Sequence, residues 1–276
     1  SQLLSDTHRM VAEIIPMRKN LTHIWVSHFH PDHHFGLYVL KSAFPNAKIV
    51  AMPSVVKDIV ATSSDKIELW ATDRFGPDDI PRQTTIPTPL SEPRIILEGE
   101  EIQVSDGWEG DSVNNSVVWV PSIRVACATD VAFHDAHIWT SESNVERRKK
   151  WRAGISKIKE FDPRIVIPGH CDAAKVKRMD EVQEKGKLTY LDCIDWSIKY
   201  LENYEEVYNT ARNASEMVAA MTKRYPKVKA IDFGVQWQAR LLFPKSSPEW
   251  LTPLPGMPGK IFLNPNGGFD GDPPRE

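Results

Sequence analysis

The stretch SHFHPDHHFGL, residues 27–37, gathers four histidines and one aspartate into the seven positions 28–34. It overlaps the end of LTHIWVSHF, whose β-branched and aromatic content predicts a strand. On an extended segment side chains two apart point to the same side, so His28 and His30 share one aim. Asp32 and His33 come after Pro31, in the turn, and address a second point close by. Imidazole nitrogen and carboxylate oxygen are the donors that zinc, iron or manganese accept, and two neighbouring metals need about this many groups. A solvated loop gains nothing from such crowding. His34 is expected to support the cluster rather than to ligate.

Outward from this point the chain alternates. AKIVAMP, RIILEGEEIQV, NSVVWVP, IRVACATD and RIVIPGH each predict a strand of about 5 to 8 residues. FGLYVLKSAFP, SVVKDIVATSS and SNVERRKKWRAGISKIKEF carry apolar residues at three- and four-residue spacings and predict surface helices, with the Lys and Arg run at 147–152 on the solvated side. The layout to residue 171 is α/β. Beyond about residue 172, DEVQEKGKLTYLDCIDWSIKYLENYEEVYNTA, NASEMVAAMTKRYP and AIDFGVQWQARLLF predict three helices. The stripe Trp196, Tyr200, Tyr204 and Tyr208 on the first of them is expected to be core or interface packing. After Phe243 the chain is rich in Pro and Gly and predicts an extended tail.

Composition narrows the function. At 276 residues, 41% of them apolar, the chain can bury a sizeable core. A formal charge of −3 supplies no field for a nucleic acid or an anionic membrane. No apolar run approaches the roughly 18 residues of a membrane span, and SQLLSDTHRM lacks the features of a signal peptide. Cys127, Cys171 and Cys193 show no CxxC spacing, which suits a reducing compartment and makes the cytoplasm the expected location.

His28-Phe-His30-Pro-Asp32-His33 resembles the HxHxDH signature of the metallo-β-lactamase fold superfamily. NNSVVWVP, then CATDVAF, then IVIPGH follow in that family's order, so the resemblance covers about residues 1–171. It implies an αββα sandwich of two mixed sheets flanked by helices, here with a helical C-terminal appendage. The implied division is a metal-binding domain at 1–174, a helical region packed on it at 175–243, and a tail at 244–276. Asp130 becomes the metal-bridging carboxylate and His170 the last ligand of a second site. LLSDT looks like the family's (I/V)DT strand end, with Asp6 beside the site, although the hairpins that normally precede it are missing.

The third histidine of the family's first site, from GH(S/T), has no counterpart: this sequence reads GWEGDSVNNSVVWVP, with no histidine between 35 and 133. Counting back from NSVVW puts Asp111 in its place, and a loop two residues longer would put Glu109 there instead. Either acid makes the site harder, which favours iron or manganese or weakens zinc. The expected ligands are therefore His28, His30, Asp32, His33, Asp111, Asp130 and His170, holding one or two Zn2+ ions, with Fe2+ or Mn2+ as substitutes. His134, His137, Trp108 and Trp139 are expected at the mouth of the site, against substrate.

The resemblance implies a metal-dependent hydrolase, using metal-bound hydroxide on a small ester, lactone, lactam or thioester carbonyl, with Asp32 or Asp130 orienting the hydroxide and returning its proton. Lactonase and lactamase activities both fall within that class. The alternatives are a mononuclear iron dioxygenase of the same fold, a phosphodiesterase, and a non-catalytic binding module. The expected partner is a small molecule, not a nucleic acid or a membrane, and the aromatic stripe would also suit a homodimer.

Overall fold

In the computed structural model, which describes residues 1–172, 192–251 and 263–275, the cluster at 28–34 stands at the end of a short parallel sheet. The described residues fall into two units, one of 1–93 and 263–269, the other of 94–172, 192–251 and 270–275.

The first unit orders its strands β1 (His23–Val26), β2 (Lys48–Ala51) and β3 (Thr88–Pro89), all parallel, with Ile24 opposite Ile49 and Val26 opposite Ala51. Parallel neighbours need crossovers. These hold α2 (Pro31–His34) and α3 (Leu37–Ala43) before β2, and α4 (Pro53–Asp73) before β3. Pro31 and Pro53 open their helices, where a fixed φ and a missing N–H cost nothing. Val26, Phe29, Phe35, Val55, Ile59 and Trp70 are buried in this unit.

LLSDT does not end a strand. It opens α1 (Leu4–Ile14), where Leu4, Thr7, Val11 and Ile14 fall on the less exposed face and Thr7 donates its hydroxyl to the Leu3 carbonyl. Asp6 lies on the opposite, exposed face, 3.3 Å from Arg9. The helical spacing of these four positions outweighs the likeness of one tripeptide.

The second unit orders β4 (Arg94–Leu97), β5 (Glu100–Trp108), β6 (Asn115–Val120), β7 (Val125–His134) and β8 (Ile165–Cys171) in sequence. Pairing is antiparallel as far as β7 and parallel between β7 and β8, whose crossover contains α5 (Val145–Lys157). RIILEGEEIQV is thus a hairpin rather than one strand, its turn made by Glu98 and Gly99 at φ of 53° and 89°. Two consecutive positive φ values give the twist that a two-residue hairpin requires.

The C-terminal helices are α6 (Asp192–Thr210), α7 (Ala214–Arg224) and α8 (Trp237–Leu242), the last preceded by a π turn at Asp232–Gln236. Residues 180–191 of the first expected helix lie outside the described residues. Asn213 caps α7 by accepting from the Glu216 amide at 2.9 Å. Helix α6 packs on β7 and α5, with Tyr200 and Tyr204 fully buried alongside Val131, Phe133, Trp151 and Met217. Trp196 and Tyr208 remain partly exposed. Among the described residues no helix is long and apolar enough to cross a membrane.

The basic run of α5 is not all solvated. Arg147 and Arg148 are buried, whereas Lys149 and Lys150 are exposed. Arg148 places Nε 2.5 Å from Glu205 of α6 and Nη1 2.6 Å from Asp272 of the tail, with its guanidinium 5.0 Å from the rings of Tyr204 and Tyr208. Two carboxylates and two aromatic faces replace the water that a buried cation loses. The tail also reaches the start of α5, where Asp272 accepts from the Val145 amide at 3.2 Å, and it ends with the Arg275 amide on the Leu242 carbonyl.

His137 follows β7 and is buried against α6, its Nδ1 2.8 Å from the Tyr200 hydroxyl and its ring edge-on to Tyr200 and Tyr225. Burial pushes it down from 6.5 to about 4. The unfolded chain therefore binds that proton more tightly than the folded one. Stability from this residue is complete above pH 6.5 and is lost as pH falls toward 4, by about 3 kcal/mol at most. Urea midpoints taken between pH 7 and pH 4 should fall less steeply in His137→Asn than in the parent, and parallel curves would refute the assignment.

Candidate metal centre

Each unit assembles its own group of donors. In the first, β1 ends at Val26 and the chain stays extended as far as His30, after which Pro31 turns it into α2. A ring nitrogen of His28 lies within 4.8 Å of one of His30, and the ring centroids are 4.8 Å apart and edge-on. His33, returned by the helical turn, brings its ring centroid to 4.0 Å from that of His28 and its Nε2 to 3.3 Å from Asp32. The HxHxDH residues thus converge as their spacing predicts.

Ser27 orients two of these rings, its hydroxyl standing 3.0 Å from Nδ1 of His28 and 3.1 Å from Nδ1 of His33. A hydroxyl oxygen has two lone pairs and can accept from both rings, which leaves each Nε2 lone pair for a metal. His34 is fully buried, and burial, followed by the charge of Lys66, drives it well below the ordinary histidine range. It is a neutral packing group. Lys66 itself lies 4.0 Å above the ring of Phe29, the residue between His28 and His30.

In the second unit Asp130 lies in β7, where the pairing with β8 shifts register on either side of Thr129. Thr129 has φ of 48°, a strained value for a β-branched residue, and the two irregularities re-aim the side chains that follow. Asp130 is 1% exposed, and its Oδ2 is 3.1 Å from Nε2 of His170, near the end of β8. His170 stacks on Phe133, ring centroids 5.3 Å apart, and Phe133 is held through its backbone by the Ser197 hydroxyl of α6. Gly169 makes room for the carboxylate, since a Cβ there would stand 1.8 Å from Asp130 Oδ1.

Asp111 and Glu109, which the sequence left as alternatives, have different surroundings. Glu109 is engaged by Arg147, with Nε donating at 2.9 Å and Nη2 at 2.8 Å from the same oxygen. Asp111 is buried and holds a carboxylate oxygen within 4.8 Å of one of Asp130, and its amide donates to the Asp130 carbonyl at 3.3 Å. The Asn115 amide nitrogen spans that loop, 3.0 Å from the Ser112 carbonyl and 3.5 Å from Asp111 Oδ1. Imidazole nitrogens and carboxylate oxygens, some withdrawn from water, fit a divalent cation better than a bare protein interior.

The expected substrate contacts all lie in the second unit and are already engaged there. His137 is buried on Tyr200, and His134 Nδ1 is 3.2 Å from Asp135. Trp108 donates its indole N–H to Ser105 at 2.8 Å, and Trp139 donates to Glu142 while meeting Trp237 edge-on. Ser27, Asn115, Gly169 and Ser197 were not singled out from the sequence. Only adjacency to a recognised motif marks the first three, and Ser197, distant in sequence, carries no such mark.

A family model described as the metallo-beta-lactamase superfamily matches residues 10–170. No curated protein matches the chain. Among solved structures, a metallo-beta-lactamase from Pontibacter korlensis is similar at 14% identity, covering 71% of this chain and 76% of its own, with a TM-score of 0.44. The DIM-1 metallo-beta-lactamase exposed to ceftazidime is similar at 18% identity, over 71% and 74%, with a TM-score of 0.45. The BLEG-1 B3 metallo-beta-lactamase is similar at 16%, over 60% and 77%, with a TM-score of 0.47.

The contact at Gly169 is testable without any metal. Gly169→Ala must displace either the Asp130 carboxylate or the β7 backbone, and its unfolding free energy should drop by about 1 to 3 kcal/mol in urea titration. An unchanged midpoint would mean that the close approach is not real.

Proposed function

The chain belongs to the metallo-β-lactamase superfamily and is an enzyme of metallo-hydrolase type, and from that premise we propose that it hydrolyses a small ester, lactone, lactam or thioester carbonyl at a divalent-metal centre. The proposed ligands are His28, His30, Asp32, His33, Asp111, Asp130 and His170. The observation that carries the reading is that the family match spans all seven, while each unit gathers its own share of them into close donor groups.

A divalent ion held by these donors would supply a Lewis acid and would bring the pKa of water from about 15.7 to near 7. The protein's part is positioning and proton movement. Ser27 fixes the rings of His28 and His33, and Gly169 seats the Asp130 carboxylate, which orients the attacking water. Asp32, one third exposed where Asp130 is sealed, is the better placed to pass a proton on to the leaving group. The three free thiols support a reducing compartment, and the cytoplasm is the proposed location.

The carboxylate at 111 distinguishes this centre, because an anion stands where the family has a neutral imidazole. It favours zinc less and manganese or iron more, and it keeps open the second reading, an iron-dependent dioxygenase. Elemental analysis, with lactone, lactam and thioester panels beside an oxygen-uptake assay, separates the two. Hydrolysis without oxygen uptake is expected, and the reverse would overturn the proposal.

His30→Ala and Asp130→Ala should each lose metal and activity together, and full metal content in either would exclude that residue as a ligand. Asp111→His should tighten zinc and move the rising limb of the activity profile to lower pH, because imidazole in place of the carboxylate would remove negative charge from the centre. Unchanged metal content and an unchanged profile would remove Asp111 from the centre.

A further inference from the structure

Six residues, Glu109–Asn114, join β5 to β6 and carry Asp111 near their middle. On the inner side the loop is held by the Asp111 amide on the Asp130 carbonyl and by the Asn115 side chain on Ser112. Those contacts bring two buried carboxylates within 4.8 Å of each other, so a shift of the loop changes the spacing of two proposed ligands.

Glu109, two residues before Asp111, is the point where the loop is gripped from outside. Its partner Arg147 is fixed before it binds. The Arg147 amide donates to the cap residue Asn144 at 3.0 Å, and its Nη1 donates to the Glu142 carbonyl. The same Nη1 lies 3.5 Å from Asp270 of the tail. The side chain is only 11% exposed, so the ion pair with Glu109 at 2.8 Å is far less screened than a surface pair.

We infer that Arg147 is a positioning residue for the centre: through Glu109 it holds the Asp111 loop in place, and Asp270 of the tail steadies the guanidinium that does so. The inference rests on Asp111 being a ligand. It makes the Arg147–Glu109 pair a determinant of metal affinity although neither residue ligates.

The test is Zn2+ and then Mn2+ titrated into the metal-free full-length protein against a chromophoric chelator. Arg147→Met and Glu109→Gln should each weaken Zn2+ binding about 10- to 100-fold, the range for partners that orient ligands without binding the ion. Because they act through one contact, the double variant should bind no more weakly than the worse single. Arg147→Lys should fall between, and the exchange Glu109→Arg with Arg147→Glu should recover part of the loss. Should Arg147→Met not fold, Glu109→Gln, which keeps size and a hydrogen-bond acceptor, decides alone. Parent-like affinity in the single variants beside impaired Asp111→Asn, or additive losses in the double, overturns the inference and leaves the ligand reading standing. Parent-like affinity in Asp111→Asn removes that reading and the inference together.

Discussion

Two carboxylates withdrawn from water and less than 5 Å apart are the constraint on which the second unit is built. Each loses hydration and feels the other, so the arrangement is tolerable only with positive charge or a shared proton close by. His170 supplies one cation-capable group at 3.1 Å from Asp130. The rest of the local geometry follows from keeping this pair in place. The strained backbone at Thr129, the bare Cα at Gly169 and the stacking of His170 on Phe133 each fix one side of the arrangement. Such costs persist where the surrounding structure over-determines them, and functional sites are where they gather.

The first unit meets a milder version of the same demand with a different device. Its donors come from one continuous segment in which a strand end, a proline and a single helical turn set their relative positions. One serine hydroxyl then selects ring orientation for two of them. Because the geometry is local in sequence, the segment could be read directly: spacing of two on an extended chain and the turn after Pro31 carry nearly all the information.

Legibility fell wherever the deciding partner was remote. Nothing adjacent to residues 109–111 shows which acid turns inward, since the answer depends on Arg147, 38 residues away, occupying Glu109. The basic run at 147–152 suggested a solvated face for the same reason: charged side chains at helical spacing are usually exposed, and the acids that make burial tolerable here lie at 205 and 272. The hairpin at Glu98–Gly99 was hidden by unbroken β-propensity on both sides, with one glycine as its only signal. By contrast, the aromatic stripe of α6 could be read as packing because its period alone reports a buried face.

The ion pair of Arg148 with Asp272 spans 124 residues of sequence, and that span bears on how the chain is made. A ribosome delivers residue 148 long before residue 272, and until then the guanidinium must either stay in water or be buried one counter-charge short, a deficit of about 3 to 5 kcal/mol for a broken buried pair. Helix α5 can form early, but its seat between β7 and α6 cannot be sealed until the tail has been synthesised. The second unit should therefore close late, with residues 270–275 acting as a component of its core. A chain interrupted before residue 272 would carry the buried Arg148 guanidinium with one of its two carboxylates missing, a natural substrate for quality control.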